Sequence, residues 1–434
     1  MHPFVQDFLK FQSVSPTAWH ATASLSGILT GAGFGRLNEQ DAWSLEPGGR
    51  YFVCRGGSSL IAFALPSGAP RSVSITASHS DSPAFRLQHL GSQLRDAHYT
   101  RLNVEKYGGS IFSSWFDRPL SVAGRLFFRE GDGVSVRLIK SSRDLCVIPN
   151  VAIHMNREVN SGYAYKPQVD LMPLWGSADA PSLLETLAEE AGIAPETVVS
   201  TDLQLYNRMP GLVWGVEESY VSAGRLDDLE CAYASIRALV SVQPAAHLAM
   251  ACVFDNEEVG SGSMQGADSS FLSDVLDRIA EGLALSAEGK RRMLASAFMV
   301  SADNAHATHP NHPEYANATE QAWMNGGIVI KHNASLKYTT DGQSEGIFSE
   351  LCRRAGVPVQ HYANRPDMAG GSTLGHISQS HISVTSVDVG LAQLAMHSAW
   401  ETAGARDLPM LADALQTCLS TCVIQRPDGG FDLL

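Results

Sequence analysis

Histidine and acidic side chains follow apolar, strand-like runs at several points of the sequence. Three such runs are followed by potential ligands: His79 and Asp81 after residues 73–77, Glu257 and Glu258 after residues 248–254, and Asp303 and His306 after residues 297–301. Burying several carboxylates together is costly unless a cation compensates their charge. A set of His, Asp and Glu without cysteine suits a catalytic divalent metal such as zinc, cobalt or manganese.

The residue types also indicate a division of roles. The adjacent glutamates Glu257 and Glu258 cannot easily take the same role. One is expected to be a ligand, while the other takes a proton from a water activated by the metal. His79, with Asp81 two residues later, fits a metal-bound imidazole that a carboxylate orients.

Each motif alone also has an ordinary interpretation. A lone His-x-Asp usually has no function, and a Glu-Glu pair is more often a solvated turn. Asp303 is consistent with a cap of the following segment, and His397, in Ala-Met-His-Ser, with a buried structural histidine. The four features together, rather than any one of them, favour a metal site.

The elements that must position these side chains alternate between strand and helix from Asp227 onward. The predicted strands are 248–254, 297–301, 327–330 and 382–387, and the predicted helices include 270–284 and 344–355. This alternation predicts an α/β fold with a mixed sheet sandwiched by helices. In such folds, ligands bind beyond the carboxyl ends of the strands.

A different pattern lies between about residues 86 and 220. Apolar residues 126–128 and 134–136 flank Gly131-Asp132-Gly133, which is typical of a β-hairpin. We therefore predict a discontinuous catalytic domain of residues 1–86 and 223–434, interrupted by a β-rich domain of residues 87–222. A helix within this insertion, 182–191, is expected to end at Gly192.

Composition narrows the class of protein. The chain has 434 residues, 44% of them hydrophobic and 18% charged, with a formal net charge of −14. This charge argues against binding to duplex nucleic acid or to an anionic membrane. We find no apolar run of the roughly 18–20 residues that a bilayer span needs and no signal peptide. Seven cysteines without a Cys-x-x-Cys pair favour reduced thiols in a cytoplasmic protein.

The motifs together resemble those of the aspartyl aminopeptidase family of metallopeptidases. The resemblance runs in order through most of the chain, and it rests on residues 76–83, 107–109, 115–120, 148–157, 224–229, 255–261, 301–303, 306–311 and 395–398. The stretch 368–373 resembles the family's Gly-Ser/Thr turn more loosely.

The resemblance implies a site with two divalent cations, most simply zinc. His79 and Asp303 would hold one cation, Glu258 and His397 the other, and Asp227 would bridge them. Asp81 would then steady His79. Glu257 would be the general base of a two-metal hydrolysis.

The resemblance also implies residues that bind substrate. Lys331, at the end of a predicted strand, would provide a cation for an acidic side chain, and Tyr338 and His306 would lie near the substrate. On sequence alone, Lys331 is better interpreted as an exposed strand-end lysine, and Tyr338 as an ordinary packed aromatic.

His154 lies far along the sequence from the proposed ligands. Alone it would be interpreted as a buried structural histidine. The resemblance instead implies that it reaches the active site of a neighbouring subunit, where it would stabilise an oxyanion. The family implies a homo-oligomer, a dodecamer built from dimers, to which the β-rich domain would contribute the dimer contacts.

The function predicted on this basis is an aminopeptidase that removes N-terminal Asp or Glu from peptides. One alternative is a di-metal aminopeptidase of neutral or broad specificity, which differs in its turnover of Asp-, Glu- and Leu-arylamides. A second is a non-catalytic assembly shell, against which the intact Glu257-Glu258 pair argues.

Overall fold

The computed structural model describes residues 1–368, 370–371 and 373–434. Ala369 and Ser372, in the stretch that resembles the family's Gly-Ser/Thr turn, lie outside the described residues. The helices, in chain order, are α1 (Pro3–Val14), α2 (Ala18–Gly31), α3 (Pro167–Asp170), α4 (Leu183–Ala191), α5 (Leu226–Val240), α6 (Phe271–Gly282), α7 (Ala287–Ala295), α8 (Gly342–Ala355), α9 (Leu374–Ser378) and α10 (Asp407–Ser420). Among these described helices, we find none with the length and apolar character that a bilayer crossing requires.

The strands of the described residues form one large sheet and several smaller ones. In chain order they are β1 (Gly35–Leu37), β2 (Arg50–Arg55), β3 (Ser59–Ala64), β4 (Val73–His79), β5 (Ala84–Leu87), β6 (Gln93–Arg95), β7 (Tyr99–Leu102), β8 (Val104–Tyr107), β9 (Leu120–Glu130), β10 (Gly133–Lys140), β11 (Leu174–Ser177), β12 (Val198–Asn207), β13 (Leu212–Trp214), β14 (Tyr220–Ala223), β15 (Leu248–Phe254), β16 (Phe298–Ala302), β17 (Ala305–His306), β18 (Ile328–His332), β19 (Val359–Ala363), β20 (Thr385–Gly390), β21 (Ala392–Leu394), β22 (Glu401–Gly404), β23 (Val423–Gln425) and β24 (Phe431–Leu433).

The large sheet is mixed, with the strand order β1-β2-β3-β15-β4-β16-β20-β18-β19. Its central strands β15, β4, β16 and β20 run parallel to one another. β3 pairs antiparallel to β15, and β18 pairs antiparallel to β20. The carboxyl ends of the four central strands therefore meet at one edge of the sheet.

Helices cover both faces of this sheet, because its central strands are apolar on both sides. Every residue of β4 and β15 is buried. Ala251 of β15 packs into a core with α1, α2, α5, α8 and α10. Its neighbours Met250 and Cys252 pack on the other face with α6 and α7. The predicted α/β fold, with a mixed sheet sandwiched by helices, is confirmed.

One predicted strand begins later than expected. The strand predicted at 382–387 runs instead from Thr385 to Gly390. The backbone N–H of Ile382 donates to Ser378 O (3.1 Å), so this residue closes a turn after α9. The Ile382 side chain is buried in the core beside α6. Burial in a turn therefore accounts for the apolar run that was interpreted as the start of the strand.

The middle of the chain forms a second, antiparallel sheet with the order β10-β9-β12-β5-β8. The hairpin predicted around Gly131-Asp132-Gly133 joins β9 to β10, with Phe127 opposite Val136. As expected, α4 ends at Gly192, which adopts a left-handed conformation (φ 65°). This β-rich part has a core of its own. β5 spans the predicted boundary at 86/87, and the division into two domains stays a prediction.

Candidate metal centre and substrate cavity

Adjacent parallel strands of the large sheet carry the candidate ligands to one edge. β4 ends at His79, β15 is followed within four residues by Glu257 and Glu258, and β16 is followed by Asp303. β15, β4 and β16 are neighbours in that order. Asp227 arrives from the first turn of α5, beside the same edge.

The structure brings the predicted ligand residues into overlapping groups. In each group, one ligand atom per residue lies within 4.8 Å of the others: His79 with Asp227, Asp228 and Asp303; Asp227 with Glu258 and His397; and His79 with Glu257 and Glu258. Asp227 belongs to two of these groups. Its Oδ1 is 3.7 Å from His79 Nε2, and its Oδ2 is 3.5 Å from His397 Nε2. The two oxygens of one carboxylate thus face two different histidines.

The chemistry of this donor set fits divalent cations. Within the described part of the chain, four buried carboxylate oxygens have no hydrogen-bond donor, and three of them belong to this centre: Asp227 Oδ1, Asp228 Oδ1 and Glu258 Oε1. Burial raises the pKa of Glu257 to about 8, and burial followed by repulsion from Asp227 raises the pKa of Glu258. Buried acids this crowded need a compensating positive charge, and His, Asp and Glu are suitable zinc ligands.

The Asp81 carboxylate holds several parts of this centre together. Its Oδ1 is 3.4 Å from His79 Nδ1, which also bonds to the backbone O of Asp81 (3.1 Å), and His79 Nε2 is thereby left facing Asp227. Oδ1 and Oδ2 accept hydrogen bonds from the backbone N–H groups of Glu257 (3.1 Å) and Glu258 (3.2 Å). Asp81 therefore orients the imidazole and the glutamate turn together.

Two positioning residues were not identified from the sequence. The Tyr107 hydroxyl donates to Asp81 Oδ2 (2.6 Å) and accepts from Asn256 Nδ2 (2.8 Å). Glu401 accepts from the backbone N–H groups of Leu226 (2.7 Å) and His397 (2.8 Å). Glu401 thus joins the start of α5 to the His397 loop, and burial raises its pKa to about 8. The only sequence signal was the Tyr107-Gly108-Gly109 motif, which was not connected to the metal centre.

The glycines after Tyr107 allow the backbone to approach the ligands closely. Gly109 O accepts a hydrogen bond from His397 Nδ1 (3.1 Å), which turns His397 Nε2 towards Glu258 and Asp227. Gly108 has φ +71°, and a Cβ there would lie 3.2 Å from the Glu258 Cβ. A side chain at Gly108 would therefore be strained and would push against Glu258.

A cavity of about 200 Å³ opens beside these residues. Lys331, His306 and Tyr338 line it together with His79, Asp227, Glu257, Asp303 and His397. His306 itself is exposed, with its ring 6.0 Å from that of Tyr362. The predicted substrate residues and the predicted metal ligands thus face a common space.

Lys331 is buried, with only 3% of its surface exposed, so its interpretation as an exposed strand-end lysine is wrong. Its Nζ donates to Asn304 O (2.8 Å) and lies 3.6 Å from Asp303 Oδ1. The Tyr338 ring is 5.4 Å from the same nitrogen. The cavity therefore contains a buried cation beside the candidate metal ligands.

His154 lies on an exposed loop of the β-rich part, so its interpretation as a buried structural histidine is also wrong. In the part of the chain that the structure describes, it does not line the cavity of its own subunit. Its apolar neighbours Ile153 and Met155 are exposed as well, Met155 by 78%. The role of His154 at a neighbouring active site stays a prediction.

Comparison with known proteins agrees with this arrangement. The family model described as "Aminopeptidase I zinc metalloprotease (M18)" matches residues 11–418. A probable M18 family aminopeptidase 2 of Clostridium acetobutylicum is 40% identical over 413 residues, which cover 93% of this chain and 95% of the relative. A protein of the same description from Pseudomonas aeruginosa is 40% identical over 420 residues, or 94% of this chain and 96% of the relative.

Solved structures share the whole architecture. Ape4, solved by cryo-electron microscopy in a complex with Nbr1, is 34% identical and superposes with a TM-score of 0.92 over 96% of this chain and 85% of that chain. The mApe1 dodecamer of S. cerevisiae is 25% identical, with a TM-score of 0.83 over 96% of both chains. The chain described here therefore belongs to the M18 family of zinc metallo-aminopeptidases.

Proposed function

We propose that this M18 aminopeptidase uses two divalent cations to remove N-terminal aspartate or glutamate from peptides. The observation that carries the proposal is the position of Asp227, whose two carboxylate oxygens face His79 and His397 respectively. A carboxylate shared between two ligand groups is what a bridged pair of cations requires. The buried lysine in the adjoining cavity supports the acidic preference.

In this proposal His79 and Asp303 hold one cation, Glu258 and His397 hold the other, and Asp227 bridges them. Asp228 lies close to His79 and Asp303, but it belongs to neither of the ligand groups that contain Glu258. Its Oδ2 accepts a hydrogen bond from the His79 backbone N–H (3.0 Å). This supports Asp227 rather than Asp228 as the bridge. When bound, such a cation pair polarises the scissile carbonyl and makes water a better nucleophile near neutral pH.

Glu257 is the residue that we propose to move the proton. Its carboxyl lines the cavity, and its backbone is held by Asp81. Its carboxylate takes a proton from the attacking water and returns it to the nitrogen of the leaving peptide. Its pKa, raised by burial, suits a group that must both accept and release a proton near neutral pH.

Lys331 is the residue that we propose to select the acidic side chain. Its ammonium group is buried, and burial strengthens its attraction for a carboxylate because less water competes. The Asp303 carboxylate 3.6 Å away keeps it charged. A substrate aspartate or glutamate side chain in the cavity gains a charge-assisted hydrogen bond that a leucine side chain cannot make.

We further propose that the chain assembles into a homo-oligomer, a dodecamer built from dimers, in which His154 serves a neighbouring active site. The solved S. cerevisiae relative is described as a dodecamer. Exposed apolar side chains on the β-rich part offer a surface for assembly: Val134, Val136 and Leu138 on one face of β10, and Val151, Ile153 and Met155 on the His154 loop. We assign the dimer contacts to residues 87–222.

A cytoplasmic location belongs to the same proposal. All seven cysteines are free thiols in the structure. Free, mostly buried cysteines are usual in a reducing compartment and unusual in secreted enzymes.

One experiment tests the proposed reaction and separates it from the alternatives. Asp-, Glu- and Leu-arylamides are assayed with the purified enzyme, after chelation, and after addition of zinc, cobalt or manganese. We expect chelation to abolish turnover, metal to restore it, and Asp and Glu to be preferred over Leu. A preference for Leu would favour the neutral-specificity alternative, and no turnover under any condition would favour the non-catalytic shell.

A further inference from the structure

A second cluster of possible metal ligands lies on the opposite face of the large sheet from the substrate cavity. It consists of His332 at the end of β18, His361 on β19 and Glu345 in the first turn of α8. Successive side chains of a strand point to opposite faces. Since Lys331 faces the cavity, the next residue, His332, faces α8. His361 shares that face, because it pairs with Ile330, whose side chain packs in the core beside α8.

The three ligand atoms are spaced as a small cation requires. His332 Nε2 is 3.3 Å from His361 Nδ1, and His361 Nδ1 is 3.4 Å from Glu345 Oε1. One ligand atom from each of the three residues lies within 4.8 Å of those of the other two. Ligands at about 2.0–2.1 Å from a tetrahedral zinc ion are roughly 3.3–3.4 Å apart. Two of the three separations already match that geometry.

Hydrogen bonding within the cluster does not satisfy all three atoms. Both contacts converge on the single nitrogen His361 Nδ1. If this nitrogen accepts a hydrogen bond from the N–H of His332 Nε2, it carries no hydrogen to donate to Glu345, whose ionised oxygen can only accept. If it instead carries the proton and donates to Glu345, it has no lone pair for His332 Nε2. A cation, in contrast, accepts a lone pair from each of the three atoms.

Both acids and cations surround the cluster. Burial lowers the pKa of His332, which favours the neutral form of the ring, the form that can offer an Nε2 lone pair. The acids that act on His332 are Glu345 and Glu320. His332 also borders a cleft that is lined by Asn317, Asn333 and Asn364 and by the cations Lys337 and Arg365.

We propose that His332 Nε2, His361 Nδ1 and Glu345 Oε1 bind a zinc-type divalent ion that is distinct from the cations of the catalytic centre. Two imidazoles and one carboxylate suit zinc or cobalt rather than calcium or magnesium, which prefer oxygen ligands. The ion joins β18, β19 and the start of α8. It thereby fixes, from the far face of the sheet, the strand end that carries Lys331.

The test counts zinc in a chain whose catalytic ligands have been removed. The full-length double variant His79→Ala/His397→Ala is dialysed against zinc, and bound metal is measured by mass spectrometry. We expect one zinc ion per subunit to remain. Adding His361→Ala should weaken that residual binding by more than about 100-fold. The control adds His312→Ala instead, because His312 is exposed and pairs with Glu314 but belongs to none of the groups of three possible ligands found among the described residues. This control should leave the residual zinc binding unchanged.

A second measurement avoids any folding defect of the double variant. In the otherwise native chain, Glu345→Gln keeps the size of the side chain and removes its charge. At equal free zinc, we expect this variant to hold one zinc ion fewer per subunit than the wild type. We also expect added zinc to raise the Tm of the variant by less than it raises the Tm of the wild type. Equal zinc content in Glu345→Gln and wild type, or residual zinc that does not depend on His361, would overturn the proposal.

Discussion

The hydroxyl of Tyr107 donates a 2.6 Å hydrogen bond to Oδ2 of Asp81, and this bond joins the β-rich sheet to the candidate metal centre. Tyr107 is the last residue of β8, whereas Asp81 follows β4 of the large sheet. The same carboxylate contacts His79 and accepts the N–H groups of Glu257 and Glu258. The position of the ligands therefore depends on a residue from the other sheet.

Tyr107→Phe tests this connection. Removing the hydroxyl leaves a buried carboxylate with one donor fewer, which costs about 1–3 kcal/mol. We expect zinc affinity, measured by competition with a chelator, and kcat/KM each to fall by about 10-fold. Tyr163→Phe is the matched control, because its hydroxyl contacts Asp170 within the β-rich part. Equal effects of the two substitutions would show that Tyr107 does not position the centre.

Glu257→Gln tests the proposed proton transfer. The amide keeps the size of the side chain but cannot accept the proton from water, so turnover should fall by roughly 100- to 10,000-fold. Metal content should stay at the wild-type value, because Glu257 is not one of the proposed ligands. Glu258→Gln, at a proposed ligand, should lower both activity and metal content. Substantial activity in Glu257→Gln would remove this residue from the role of base.

The strand ends of the catalytic centre could be predicted from the sequence, but the connections between them could not. His79 ends a buried strand, and Glu258 and Asp303 each follow one, so an apolar run with a polar end indicates their position. Glu401 and Tyr107 act through hydrogen bonds to residues more than 25 positions away or to backbone groups, and no periodic pattern indicates such contacts. The burial of Lys331 was missed for a related reason. Its partners, Asp303 and Asn304 O, come from another strand end.

Lys331→Met tests the acidic preference. Methionine keeps an unbranched side chain of similar length but removes the charge, so the substrate carboxylate loses a charge-assisted hydrogen bond. We expect the ratio of kcat/KM for Asp-arylamide to that for Leu-arylamide to fall roughly 10- to 100-fold. The ratio is the informative quantity, since damage to neighbouring Asp303 would lower both rates. Lys337→Met, whose ammonium contacts Gly370 O, is the control. An unchanged ratio in Lys331→Met would refute the assignment.

His20 should make the stability of the enzyme depend on pH. Burial, with help from the cations Lys140 and Arg225, lowers the pKa of His20 to about 4. The unfolded chain binds this proton below about pH 6.5, whereas the folded chain does so only near pH 4. Stability is therefore complete above pH 6.5 and is lost as the pH falls towards 4, with a loss of about 2 kcal/mol at pH 5.

We expect His20→Gln to reduce the fall in Tm between pH 7 and pH 5, as measured by scanning fluorimetry. His98→Gln, at an exposed histidine, should leave that fall at its wild-type size. If His20→Gln and wild type lose the same Tm over this range, His20 is not the group responsible.

The proposed role of His154 in a neighbouring subunit predicts rescue between two inactive variants. Co-expressed Glu257→Gln and His154→Ala subunits form mixed dimers. In each mixed dimer, the site with intact Glu257 receives an intact His154 from its partner. Random mixing at equal amounts should restore about a quarter of wild-type activity. Glu257→Gln mixed with His79→Ala is the control, because both residues act within their own subunit and no site is repaired. If the His154→Ala mixture is as inactive as this control, His154 does not act across the interface.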